Sequence, residues 1–165
     1  MPANRITSFA PNSNTDAETL ILGSMPGAES LRQTQYYAYP QNKFWRIMSE
    51  LVGFAHDAPY EKRLEFLRKN KIALWDSVHA CARAGSLDSN IKDVVPNDFK
   101  TFFKKHKNIK LIIFNGQAAH KLFKKHCSQF LPSEIKIAIA PSTSPANAMC
   151  SYEEKLNAWK NALRT

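Results

Sequence analysis

The residues of this sequence best suited to chemistry are polar and stand directly behind short apolar runs: Gly23-Ser24, Asp76, Asn115-Gly116 and the loop Pro141-Ser142-Thr143-Ser144-Pro145-Ala146-Asn147. A carboxamide such as Asn115 offers a donor beside an acceptor, which matches a nucleobase whose carbonyl adjoins a ring N–H. Hypoxanthine does so at O6 and N1–H, and uracil at O4 and N3–H; adenine presents the reverse pair, so a fixed amide rejects it. An Asn before Gly is also a common turn former, and that plainer role stays open. At Gly23 and Ser24 an apolar run meets Pro26 and Gly27, so the backbone must turn and leave amide N–H groups free to grip a base edge or an anion. Asp76 could serve as a general base or as a fixed hydrogen-bond acceptor. The serines and prolines of 141–147 form a stiff, hydroxyl-rich loop, suited to holding phosphates while one nucleotide is extruded or simply to capping the last helix.

Elements must position these residues. Thr19–Gly23, Ile72–Trp75, Lys110–Phe114 and Glu134–Ala140 are too short and too apolar for anything but buried strands. Helices are predicted over Asn42–Leu51, Tyr60–Asn70, Phe99–Lys107, Gln117–His126 and Tyr152–Leu163, from helical spacing of apolar residues and from start signals such as Pro96-Asn97-Asp98. Pro26 and Gly27 are expected to exclude an immediate helix as well as a continued strand. Asn42 stands where an N-cap belongs. Met1–Asp16, rich in Asn, Ser and Pro, reads as an irregular lead-in pinned by Phe9, and Arg83–Asn90 as a long connection. Strands alternating with helices imply an α/β fold, a three-layer α/β/α arrangement around a four-stranded, mainly parallel sheet. Ligands then bind beyond the carboxyl ends of the strands, so the four polar strand ends should converge on one crevice.

The 165 residues, 44% of them hydrophobic, are most simply one domain spanning 1–165 with a sizeable core. A net charge of +9 favours a polyanionic partner, nucleic acid first. Lys100, Lys104, Lys105, Lys121, Lys124 and Lys125 read as a solvated face rather than a base-reading surface, and the histidines other than His79 as surface residues. Cys81, Cys127 and Cys150 are odd in number and widely spaced, which suggests neither a disulfide framework nor a metal or iron–sulfur cluster and fits a reducing cytoplasm. The polar N-terminus lacks the apolar core of a signal peptide or membrane span.

Pro40, Asn42, Phe44 and Trp45, set behind Gly23-Ser24-Met25-Pro26-Gly27 and Gln35-Tyr36-Tyr37, resemble the first motif of the uracil-DNA glycosylase superfamily. The second half of that motif, Pro-x-Asn-x-Phe-Trp, matches. The first half departs from the Gly-x-Asn-Pro-Gly of mismatch-specific and thymine-DNA glycosylases and looks like the hypoxanthine-DNA glycosylase branch, as does Gly85-Ser86-Leu87-Asp88-Ser89. The resemblance implies that Asn42 is the catalytic residue, that Asn115 reads the base, and that Tyr37 stacks on it, with Tyr36 and Tyr39 as weaker candidates; any of these rings could instead pack the core. A neutral amide cannot act as a base. It can orient a water below the deoxyribose C1′ while the N-glycosidic bond breaks through an oxocarbenium-like state. The loop Ser142, Ser144, Pro145 and Asn147 matches the place of the superfamily's second motif, His-Pro-Ser, with Ala140 where the histidine belongs.

The sequence is thus expected to encode a monofunctional glycosylase that removes a deaminated base, hypoxanthine first, from DNA and leaves an abasic site. No cofactor is expected, and a cytoplasmic monomer acting on DNA, with no membrane partner, is the implied form. No lysine occupies a motif position, which disfavours Schiff-base chemistry. The alternatives are a uracil or mismatch-specific enzyme, and a non-catalytic nucleic-acid-binding module that keeps the fold.

Overall fold

The computed structural model describes residues 5–165. Along the chain run β1 (Arg5–Thr7), β2 (Thr19–Gly23), α1 (Ala28–Gln33), α2 (Phe44–Met48), α3 (Tyr60–Lys69), β3 (Ile72–Asp76), β4 (Val78–Ala82), β5 (Lys92–Pro96), α4 (Phe99–Lys105), β6 (Leu111–Asn115), α5 (Gln117–Cys127), β7 (Lys136–Ala140) and α6 (Tyr152–Leu163). No helix among the described residues is long and apolar enough to cross a membrane.

The four apolar runs form one sheet in the order β3-β2-β6-β7, with every neighbouring pair parallel. Side chains alternate across a strand, so residues level in register share a face. Leu22 lies between Trp75 and Phe114 and meets Phe99, Phe102 and Phe123 of α4 and α5 on one side. Ile21 lies between Leu74 and Ile113 and meets Phe44, Ile47, Leu67 and Trp159 of α2, α3 and α6 on the other. Burial on both faces explains why these strands read as continuous apolar runs, each large side chain contributing roughly 1.5–3 kcal/mol. The expected three-layer α/β/α architecture is therefore present. Helix ends follow local chemistry: Asp98 accepts the Thr101 amide at the start of α4, and Ser151 with Glu154 closes a reciprocal capping box on α6.

The chain departs from the sequence expectations in four places. The lead-in is not wholly irregular: Arg5–Thr7 pairs with β4, and β4 with β5, as a second, antiparallel sheet of order β1-β4-β5. Phe9 does anchor it, packing edge-on against Tyr36 while its carbonyl accepts from Trp75 Nε1. Helix α1 begins directly behind Gly27, because Ser86 Oγ, 58 residues away in sequence, accepts the Ala28 N–H at 2.8 Å and supplies the cap. Helix α2 starts at Phe44, two residues after Asn42, whose Oδ1 accepts the Phe44 N–H at 2.9 Å. His106 is buried, stacked on Phe102 and bonded to Ser13 Oγ and the Phe102 carbonyl, and so is not a surface histidine.

The two sheets join at Ser77, whose N–H donates to the Gly23 carbonyl, while buried Asn97 donates Nδ2 to the carbonyls of Asp76 and Val78. That side chain bridges the kink which aims the end of β3. Asn97→Ala strips both carbonyls of their donor and should lower stability by about 1–3 kcal/mol, read as a shift of the urea midpoint at unchanged slope.

Candidate active site

The chain leaves β2 outward to β3 and later returns to the other side of β2 at β6, so the connections diverge between β2 and β6. A crevice opens at such a point, beyond the carboxyl ends of the strands. Here it is a cavity of about 950 Å³ whose floor is Gly23, Asp76, Asn115 and Ala140. Gly23 and Asp76 are paired in register, as are Asn115 and Ala140. All four strand ends expected to converge do so.

Gly23 is required by contact. A methyl group there would lie 2.5 Å from Asp76 Oδ1 and 2.8 Å from the Tyr37 hydroxyl. Gly116 is required by both conformation and contact: its φ is +95°, and a Cβ would come 3.0 Å from the Cβ of Ser142. The loop after β7 therefore packs directly on the loop after β6. Asn115 clamps them together, its Oδ1 accepting the Thr143 N–H and its Nδ2 donating to Thr143 Oγ1, both at 3.0 Å. Each end of the amide keeps one bonding position, an acceptor lone pair and a donor hydrogen. Thr143 is fully buried, and its carbonyl accepts the Lys43 N–H at 3.0 Å. Asn42 is thereby carried to the same wall.

Within the loop, Ser142 Oγ accepts the Ser144 N–H and Ser144 Oγ accepts the Ala146 N–H, each at 3.2 Å, while Asn147 Nδ2 donates to the Ser142 carbonyl. The serine hydroxyls act as acceptors here, so their own protons stay free to donate, which is what a phosphate oxygen needs. Ser142, Ser144, Pro145 and Asn147 all line the cavity.

Tyr37 also lines it, in left-handed backbone (φ +54°) with its ring tilted against Phe44 at 4.2 Å between centroids. Such a backbone costs an aromatic residue roughly 1–3 kcal/mol. The ring thus packs on the core and faces the cavity at once; its buried hydroxyl makes no well-formed hydrogen bond, and burial, then the charge of Asp76, raises its pKa against the opposing influence of the nearby Asn115 amide. Tyr36 is a core residue, donating to the Ala10 carbonyl and accepting from Trp45 Nε1, and Tyr39 is an exposed residue at the cavity rim.

Asp76 is 3% exposed, and its Oδ2 has no hydrogen-bond partner. Burial, reinforced by the neighbouring charge of Asp88 and opposed by Arg83, pushes its pKa up to about 7. Asp88 belongs to the stretch Gly85–Asn90, whose role the sequence left unassigned. It accepts the Ser24 hydroxyl at 2.6 Å and, with Ser86 and Leu87, closes one side of the cavity. Arg83 holds this stretch down through the carbonyls of Pro26 and Gly85. A polar run after a strand hinted at a site residue; its partner in the first motif lies 64 residues away and carries no local signal. The six lysines of α4 and α5 are exposed and none lines the cavity.

The family model of the uracil DNA glycosylase superfamily matches residues 10–164. The chain belongs to that superfamily. A hypoxanthine DNA glycosylase of Methanosarcina barkeri is 36% identical over 157 residues, covering 94% of this chain and 96% of that protein. A second, of Methanosarcina acetivorans, is 38% identical over 150 residues, covering 90% and 92%. The solution NMR structure of a candidate uracil DNA glycosylase from Methanosarcina acetivorans superposes with a TM-score of 0.81 at 34% identity, covering 98% of both chains. Against the superfamily's motifs, this member has Ser24-Met25 in the stretch between Gly and Pro where an asparagine is usual, and Ala140 where a histidine is usual; in the cavity they stand with the carboxyls of Asp76 and Asp88, which the resemblance did not assign.

Two expectations follow. A carboxyl whose folded pKa lies above its unfolded value of about 4 holds its proton better in the folded state. Its contribution is therefore intact below pH 4 and is lost as pH rises through about 7. Asp76→Asn removes that loss and should exceed wild type in stability at pH 8 by up to about 4 kcal/mol, the gap closing toward pH 4; urea titrations at both ends measure it. Thr143→Val keeps the backbone bond and removes the acceptor of Asn115 Nδ2, and should cost about 1–3 kcal/mol in the same assay.

Proposed function

We propose that the chain is a monofunctional hypoxanthine-DNA glycosylase, with Asn42 as the residue that positions the attacking water. The observation that carries this reading is the convergence of Asn42 and Tyr37, from the connection between α1 and α2, Asp76, from the end of β3, and Asn115, from the end of β6, on one cavity. The names of the Methanosarcina relatives support the base.

A flipped hypoxanthine would lie against the Tyr37 ring with its O6 and N1–H on the free donor and acceptor of Asn115. Stacking on an aromatic ring contributes about 1–3 kcal/mol. Asn42 spends one lone pair of Oδ1 on the Phe44 amide, which fixes the side chain; the other lone pair and the Nδ2 hydrogens remain to hold a water at C1′. The enzyme then needs only to stabilise a developing oxocarbenium ion, which fixed dipoles and nearby carboxylate charge do well in a dry site. Among the described residues no lysine lines the cavity, in keeping with direct hydrolysis rather than a Schiff base. The loop 141–147 would hold the backbone through Ser142 and Ser144. Met149, 97% exposed on the chain just beyond it, is the kind of apolar side chain that proteins insert between base steps.

Duplexes carrying a single inosine or a single uracil, treated with the protein and then with alkali, test the reading. The inosine strand should break, and Asn42→Ala should slow single-turnover excision by about 10²-fold or more while DNA binding persists. Cleavage of the uracil strand alone would overturn the choice of base. Equal excision by Asn42→Ala would remove that residue from the chemistry, and binding without excision by either protein would leave a non-catalytic module.

A further inference from the structure

Beside the main cavity lies a second, smaller chamber of about 400 Å³, and the two share Pro145 and Asn147 as a common wall. Lys43 and Lys155 both line the small chamber. Lys155 is unusual for a lysine in being only 4% exposed, and its ammonium makes a single hydrogen bond, to the Ser144 carbonyl at 3.3 Å. Burial holds its pKa below the ordinary lysine value; neighbouring Cys150 opposes that shift, and the charge of Lys43 adds a smaller push in the same direction as burial. Neither lysine forms an ion pair among the described residues. Two like charges facing one small chamber without a counterion repel one another in the free protein, and an anion bound between them relieves that repulsion.

The chamber is fastened to the loop that borders the main cavity. Lys43 donates its backbone N–H to Thr143, and Lys155 holds Ser144. An anion seated there would therefore sit one loop's width from whatever occupies the main cavity. We infer that Lys43 and Lys155 form a binding site for a single backbone phosphodiester adjoining the extruded nucleotide. The inference rests on the reading that the main cavity takes a nucleotide from DNA. Lysine acts at such a site as a point charge rather than a fork, so it positions the strand without reading sequence. Lys155 also ties phosphate binding to the Ser144 carbonyl, and so to the shape of the rim.

The test is binding by fluorescence anisotropy to a duplex holding a tetrahydrofuran abasic analogue, which needs no excision. One flanking phosphate at a time is replaced by a neutral methylphosphonate, and wild type is compared with Lys43→Gln and Lys155→Gln. At one linkage the neutral backbone should weaken wild type about tenfold. Each variant should lose a similar factor on the native duplex, lose little more on the neutral one, and show a salt slope smaller by about 1. Should Lys155→Gln fail to fold, as judged by circular dichroism, half-buried Lys43 carries the same comparison alone. Equal losses for wild type and variants at every linkage, or no binding of the duplex, would overturn the inference. So would inorganic phosphate binding, measured at fixed ionic strength and lost in the variants, with no methylphosphonate effect; that result would mark a free-anion site. Failure of inosine excision with the coupling intact would count against the glycosylase reading and leave the phosphate site standing.

Discussion

The two hydrogen bonds between the Asn115 amide and Thr143 hold the site together. They are made in the interior, with Thr143 fully buried, where an unmet donor or acceptor costs more than a made bond returns. Through them the end of β6 is tied to the loop after β7, and through the Thr143 carbonyl that loop is tied to Lys43, one residue from Asn42. Three segments far apart in sequence share one buried node. The absence of a side chain at Gly116 lets the loops approach closely enough for the node to form. An amide used in this way holds its own scaffold with half its capacity and, on the proposed reading, would read a base with the other half. The reading half is then fixed in direction before any ligand arrives, which is the condition for discrimination between bases.

Charge is arranged in layers across the same site. The chain is strongly basic overall, yet the cavity is lined by the carboxyls of buried Asp76 and exposed Asp88, while Lys43 and Lys155 line the adjoining chamber. On the inference drawn for Lys43 and Lys155, a phosphate would be drawn to the rim and repelled from the depth. An uncharged base can enter past it. Burial first, and then the charge of Asp88, favours the protonated form of Asp76.

Much of this was legible in the sequence, and for identifiable reasons. Thr19–Gly23 and Leu111–Asn115 are covered on both faces, so they read as unbroken apolar runs that stop at a polar residue, and the stop is where the site lies. Ser151 and Glu154 announce α6 locally. The antiparallel sheet was not legible. Val78–Ala82 is Val, His, Ala, Cys, Ala, with little of the β-branched and aromatic content that marks a strand, and its pairing with Arg5–Thr7 joins residues over seventy positions apart. Helix α1 was hidden for a related reason, since its cap is Ser86 and not a neighbour. The role of Gly85–Asn90 was equally invisible, because what those residues touch is set by β4 and Arg83 rather than by their own spacing.

On the proposed reading, the two departures from the family's motifs belong together. A departing pyrimidine leaves as an anion on its ring oxygen, and a histidine near that oxygen answers the charge. A departing purine is helped by a proton on its ring nitrogen, and a carboxyl that keeps its proton near pH 7 can supply one. Ala140 leaves the histidine's place empty, and Asp76 stands on the same cavity floor. Ser24, next to Met25 in the stretch that usually carries the asparagine, spends its hydroxyl on Asp88, the neighbour whose charge helps to raise the pKa of Asp76. On that reading Asp88, held by Ser24, adds to the burial that keeps Asp76 protonated, and the absence of a histidine at Ala140 would leave that proton as one available to the leaving base.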